Sequence, residues 1–292
     1  FDRSINPYRG CEHGCIYCYA RPAHAYMGLS PGLDFESKLF IKPNAAALLR
    51  EELSATNYVP ATIALGANTD PYQPIERGYR ITRSVIEVLA EFRHPFGIVT
   101  KSANVMRDLD LLKPMAEQDL VKVALSVTTL DPKLARSMEP RASTPAKRLA
   151  AIEALAKAGV RTVVMMGPII PGLNDHEIEN ILKAARNAGA AEAGYTMLRL
   201  PFEVKEIFKD WLAREHPDRA AKVMSHVKEV RGGRENDPNF GTRQTGTGPI
   251  AWMIGRRFQM AAQRLGLNAE RLKLRTDLFH RPIQKGEQMA LF

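Results

Sequence analysis

Outside one eight-residue stretch the 292-residue sequence has no cysteine. That scarcity excludes a disulfide-stapled scaffold, which needs paired cysteines spread along the chain. Long apolar runs are missing too: none approaches the roughly eighteen residues of a membrane span. The opening lacks the basic-then-apolar pattern of a secretory signal, and it begins on Phe1 rather than Met, so the natural start is expected to have been trimmed or left out. No short-period repeat or low-complexity segment occurs. Acidic residues are in deficit, with 32 Asp and Glu against 41 Lys and Arg, giving a formal charge of +9. Such a surface attracts polyanions, of which nucleic acid is the commonest. The apolar fraction of 45% and charged fraction of 25% are those of an ordinary globular chain, so a cytoplasmic protein with no membrane contact is expected.

The three cysteines that are present, Cys11, Cys15 and Cys18, form C-x-x-x-C-x-x-C. Clustered thiols in a reducing compartment read as metal ligands. On a [4Fe–4S] cube three thiolates leave the fourth iron open, and an open coordination position is a mark of chemistry rather than scaffolding. The alternatives are a zinc site closed by His13, although no second C-x-x-C pair exists, and a purely structural role.

Beyond that loop, β-rich apolar runs alternate with helical patterns. The spacing predicts strands at 4–7, 61–66, 96–100, 121–127, 160–166 and 193–198, and helices at 81–92, 105–117, 146–158 and 178–188. Gly159 and Gly189 follow two of the helices as expected C-terminal caps. Alternating strand and helix implies an α/β fold with a parallel sheet and right-handed crossovers, here six units of a partial (β/α)6 TIM-like barrel. Residues 202–231 and 249–265 read as helical, so the expected organisation is a barrel over 1–215 with a helical and loop extension over 216–292, packed as one unit. Parallel barrels place ligands at the C-terminal ends of strands, which here are polar.

The stretch C-E-H-G-C-I-Y-C resembles the cluster motif of the radical S-adenosylmethionine (SAM) superfamily, with Tyr17 as its aromatic. Within that superfamily, N-P-Y-R-G-C-E-H-G-C-I-Y-C-Y-A and N-T-D-P-Y-Q-P-I-E resemble the branch related to spore photoproduct lyase, over roughly Ile5 to Phe258. The resemblance implies the same partial barrel, a [4Fe–4S] cluster on the three cysteines, and SAM chelated at the open iron. It further implies a one-electron donor such as flavodoxin or ferredoxin, and a 5′-deoxyadenosyl radical that abstracts hydrogen from the substrate.

SAM carries a carboxylate, an amine, a ribose diol and an adenine, and its pocket must answer each. Lys101, in the T-K-S that follows the third strand, matches lysines associated with the SAM carboxylate, and Ser126 matches a hydroxyl after the fourth. Asn68, Thr69 and Asp70 sit where the superfamily carries a G-G-E-like stretch, without its second Gly or its Glu. Gly167 to Gly172 resembles the adenine-binding stretch, with Ile169 against the ring and Asp175 where Glu is usual; Leu198 joins the cofactor set. Tyr17 is expected to cover the adenine side of the cluster, and Tyr19 to take part in a radical relay.

The polar segment 231–248 reads as a binding loop over the barrel mouth, with Arg231, Arg234 and Arg243 as phosphate or carboxylate partners. Arg256, Arg257 and Arg264 follow on a basic helix face. The resembling lyases use a further cysteine as hydrogen donor, which this sequence lacks, leaving Tyr72 or Tyr195 as substitutes. The expected function is therefore radical SAM chemistry on a nucleic acid, in DNA repair or modification. Competing readings are modification of a peptide or small molecule, and a non-catalytic metal-binding module. The tail 288–292, Q-M-A-L-F, resembles the short peptides that bind the bacterial sliding clamp, a further expected partner.

Overall fold

A computed structural model describes residues 2–282. Six strands, Arg3–Ile5, Ile63–Leu65, Phe96–Thr100, Val121–Ser126, Arg161–Ile169 and Glu192–Met197, form one sheet in sequential order with every pair parallel. The first and sixth strands are not paired with each other, so the sheet is open at one seam. Alternation along each strand sorts the side chains. Ile63, Leu65, Phe96, Ile98, Val121, Val123, Leu125, Val164 and Met166 are buried in the main hydrophobic core. The intervening residues on the other face include the small Ala64, Gly97, Ala124 and Gly194.

Helices Ile81–Glu91, Leu109–Ala116, Pro145–Lys157 and Ile178–Asn187 supply the outer layer. Each places apolar residues at three- and four-residue spacing, as in Val85, Ile86 and Leu89, all buried. Helix Pro145–Lys157 begins with Thr144 accepting from the Lys147 amide and Pro145 in its first turn, and Gly159 follows it with φ of +82°. Gly189 takes φ of +97° after the next helix.

Several boundaries differ from those the sequence predicts. The first strand ends at Ile5, because Asn6 turns its side chain away to accept the amides of Asn68 and Thr69. The 105–117 element is a 3-10 turn, Ala103–Asp108, followed by helix Leu109–Ala116; the break falls at Asp108, whose buried carboxylate accepts from Tyr72, Arg83 and Arg107. The fifth strand runs on to Ile169, with a register shift that absorbs Gly167 and Pro168. Residues 202–231 form two helices, Val204–Glu215 and Pro217–Glu229, because Pro217 has no amide to continue the first. These two share a second hydrophobic cluster with Cys15 and Tyr17, so the expected boundary at 215 falls between helices that bury one common core. Helix Gly248–Arg264 packs on Ile178–Asn187, where Arg257 pairs with Glu179. No helix among the described residues is long and apolar enough to cross a membrane. The tail 288–292 lies outside the described residues.

Candidate active site

The cysteine loop is built by buried polar side chains that the sequence motif does not reveal. Arg21 is 1% exposed. Its Nε donates to the Cys15 carbonyl at 2.9 Å, its Nη2 to the Gly14 carbonyl at 3.1 Å, and its Nη1 to the Pro31 and Gly32 carbonyls. Gln73 braces the other end, donating to the Gly10 carbonyl at 3.1 Å and accepting from the Glu12 amide at 2.9 Å. Gly14 has φ of +68°, and a Cβ there would meet the Arg141 guanidinium and the Glu36 carboxylate. The loop is thus held in a left-handed turn by charges packed beneath it.

Three thiols held this way face one cavity of about 390 Å³, at the C-terminal ends of the strands. Cys11, Cys15 and Cys18 share its wall with Tyr17, Tyr19, Asn68, Thr69, Asp70, Lys101 and Ser126. The second strand reaches it through Gly66, whose φ is +87° and where a Cβ would run into the Val99 carbonyl and the Pro71 ring. Ser126 and Met165, cross-strand partners, both line it.

Asp70 accepts from Thr100 Oγ1 at 2.7 Å, from the Lys101 and Tyr72 amides, and faces His13 Nδ1 at 3.4 Å. Burial raises its pKa, but His13 and these donors outweigh it and hold the carboxyl near 2. Its place is to fix the Lys101 backbone. The Lys101 ammonium lies 5.7 Å from the Tyr17 ring centroid. Burial lowers its pKa, yet the nearby Cys15 and Glu139 prevail and the net shift is upward. The Tyr17 hydroxyl donates to Glu139, which also accepts from Thr128 at 2.7 Å and pairs with Arg148. Burial pushes the Cys15 thiol up to about 12, so a metal that binds there has a firmly held proton to displace.

Residues 5–185 match the family model described as "Radical SAM superfamily". The chain belongs to the radical SAM superfamily. An uncharacterized protein of Mycobacterium tuberculosis is 40% identical over 79% of this chain and 67% of its own length. An uncharacterized protein of Methanocaldococcus jannaschii is 30% identical over 59% of this chain and 62% of its own. Among solved structures, a spore photoproduct lyase variant superposes with a TM-score of 0.61 at 15% identity, covering 90% of this chain and 74% of that one. Streptococcus suis SuiB bound to precursor peptide SuiA gives 0.54 at 12%, covering 89% and 46%. At such identities the likeness is one of fold: the six-stranded α/β architecture is that of this superfamily.

The family implies a [4Fe–4S] cluster and SAM, and the donor set fits them. No three of the His, Cys, Asp and Glu side chains among the described residues converge tightly enough for a single metal ion. A cube offers separate irons to separate thiolates, and Cys11, Cys15 and Cys18 on one cavity wall supply three. The cavity is of a size usual for small-molecule ligands.

Other predicted residues lie elsewhere. Ile169 and Leu198 are fully buried and are not among the lining residues; the wall at those strand ends is Gly167, Pro168, Thr196 and Met197. Tyr72 is buried against Asp108, and Tyr195 lines a separate cavity beside helix Gly248–Arg264, so neither reaches this site as a hydrogen donor. The three loop arginines part company. Arg231, 3% exposed, spends its guanidinium on the Met197, Leu198, Thr242 and Arg243 carbonyls, which corrects its reading as a substrate ligand. Arg234 is exposed away from the cavity lining, and Arg243 lines the cavity. Arg199 and Gln244, which the sequence reading passed over, line it too.

Proposed function

We propose that this protein is a radical SAM enzyme acting on a nucleic acid, in repair or modification of a base. The observation that carries the radical half is the meeting of three thiols and the Lys101 ammonium on one cavity. When bound, the cluster and SAM supply reductive cleavage of the sulfonium carbon–sulfur bond, with the electron coming from a flavodoxin or ferredoxin, and a carbon radical able to take hydrogen from a substrate.

The chain's own residues hold and shield that chemistry. Lys101 meets the SAM carboxylate as a charge-assisted partner. Ser126 and the 67–70 backbone offer polar groups to the amine and ribose, and Gly167 and Pro168 form the adenine slot in place of Ile169. Tyr17, fixed by Glu139, closes the wall beside Cys15. Tyr19, half-exposed on the same cavity wall with its hydroxyl donating to the Ala67 carbonyl, is assigned the relay role. A reducing cytoplasm suits free thiols of this kind.

The nucleic-acid half rests on the net charge of +9 and on the two arginines, Arg199 and Arg243, that line the cavity. Anaerobic reconstitution followed by reduction with dithionite and SAM tests the first half, through iron content and release of 5′-deoxyadenosine. Zinc in place of iron, or a loaded protein that leaves SAM intact, would remove the enzyme reading. Salt-dependent binding of an oligonucleotide tests the second half. Binding of acidic peptides instead would move the substrate to that class.

A further inference from the structure

The cavity wall carries two guanidinium groups, those of Arg199 and Arg243, that form no ion pair among the described residues. The Nε of each is buried without a hydrogen-bond acceptor. Both instead lie over aromatic rings: Arg199 Cζ is 5.2 Å from the Tyr19 centroid, and Arg243 Cζ is 4.4 Å from that of Phe240. Phe240 is 82% exposed, a large apolar face turned to solvent beside the mouth.

This arrangement is built, not incidental to a loose loop. The Gln244 carbonyl accepts from the Met197 amide at 2.8 Å, joining the segment to the end of the sixth strand. Arg231 ties the Arg243 carbonyl to the same strand end. Arg243 is thereby carried over the cavity, close to Arg199. Burial, and after it the Arg243 charge, lower the Arg199 pKa, so the two cations repel and an anion between them would relieve both. Lys101, on the same wall, has other charged neighbours in Cys15 and Glu139.

We infer that Arg199 and Arg243 form a clamp for a backbone phosphate of a single-stranded or flipped-out nucleotide, with Phe240 as the stacking face for an adjacent base. Arginine recognises phosphate through paired donors, and an exposed aromatic beside it is the other half of a single-strand site. An acidic peptide would use the cations but has no need of the open ring. The inference rests on the nucleic-acid reading above and assigns that reading its contacts.

The test is anisotropy of a labelled short oligothymidylate with the cluster-loaded protein over about 50 to 200 mM salt, beside SAM affinity by calorimetry. Replacing both arginines (Arg199→Gln with Arg243→Gln) is expected to flatten the slope of log K against log salt by about 0.7 in all, the share of the one phosphate they clamp, and leave SAM affinity unchanged. The corresponding double lysine variant keeps the charge and is expected to keep the slope, which separates lost contacts from lost folding. Phe240→Ala is expected to weaken binding about five- to 150-fold at constant slope. An unchanged slope in the glutamine variant, with wild type binding normally, overturns the clamp and leaves the nucleic-acid reading standing. No oligonucleotide binding by wild type at low salt overturns both. Loss of SAM affinity in the glutamine variant would give the arginines to the SAM carboxylate, and arginine-dependent binding of oligoglutamate alone would give them to a peptide; either outcome overturns the inference.

Discussion

The Tyr17 hydroxyl donates to the Glu139 carboxylate, joining the aromatic of the cysteine motif to a residue 122 positions away. Glu139 is 2% exposed and is balanced by Arg148, 1% exposed, which also donates to the Ser126 and Ser143 carbonyls. A buried carboxylate deprived of its cation keeps its desolvation cost without compensation. Arg148→Met should therefore destabilise the protein by about 3–5 kcal/mol, while Tyr17→Phe, which removes one donor of several, should cost about 1–3 kcal/mol. Urea midpoints of the two variants check the ranking. A Tyr17→Phe loss equal to or above that of Arg148→Met would mean that the ion pair does not dominate this network.

The cysteine loop is fastened by Arg21 and Gln73 through backbone carbonyls and an amide, not through the thiols themselves. Replacing any of Cys11, Cys15 or Cys18 with Ala should abolish stable cluster loading and leave the barrel folded. Iron content after reconstitution and far-ultraviolet circular dichroism read the two halves separately. Full iron loading in any one variant would show that its thiol is not a ligand.

How much of this was legible beforehand follows from the range of each interaction. Strand and helix order could be read because burial imposes a period of two or 3.6 on neighbouring residues, and the cysteines because their spacing is local. Arg21, Gln73, Glu139 and Arg148 carry no such signal: each is an ordinary surface residue type until the chain folds it over a distant carbonyl or carboxylate. Arg231 misled for the complementary reason. In a glycine-rich polar segment an arginine reads as a ligand, yet its five donors go to carbonyls of the segment and of the sheet end that it joins. Ile169 was hard to place for a reason of register: the strand continues past Gly167 and its side chain sits in the core.

Lys101 has its backbone fixed by Asp70 and its ammonium between Tyr17 and Cys15, so its charge should matter to a ligand more than to the fold. Loss of one charge-assisted contact costs about 1.5–3 kcal/mol, or roughly ten- to hundredfold in affinity. Lys101→Met should weaken SAM binding to the loaded protein by that factor, with a thermal midpoint close to wild type. SAM affinity that survives the substitution unchanged would take Lys101 out of the cofactor site.

His94 gives the fold an acid sensitivity far from the cysteines. It is fully buried, with Nε2 2.8 Å from the Tyr58 hydroxyl, Nδ1 3.0 Å from the Pro95 carbonyl, and its ring edge-on to Phe279 at 5.6 Å. If Nδ1 donates to the carbonyl, Nε2 accepts from Tyr58, and the neutral ring satisfies both bonds. Burial first, and the Arg3 charge after it, lower its pKa to about 4, against the Pro95 carbonyl, which favours the cation. The folded pKa thus lies below the unfolded value of 6.5, so between those two values the unfolded chain binds a proton that the folded chain refuses. The contribution is present in full above pH about 6.5 and is lost as the pH falls to about 4, a change of about 3 kcal/mol for one such group. Urea unfolding at a series of pH values across that window should show the wild type losing more stability than His94→Gln, and the difference between the two curves isolates this residue from the carboxylates that titrate in the same range. Parallel curves would place the His94 imidazole in contact with water and remove it as the origin of the acid response.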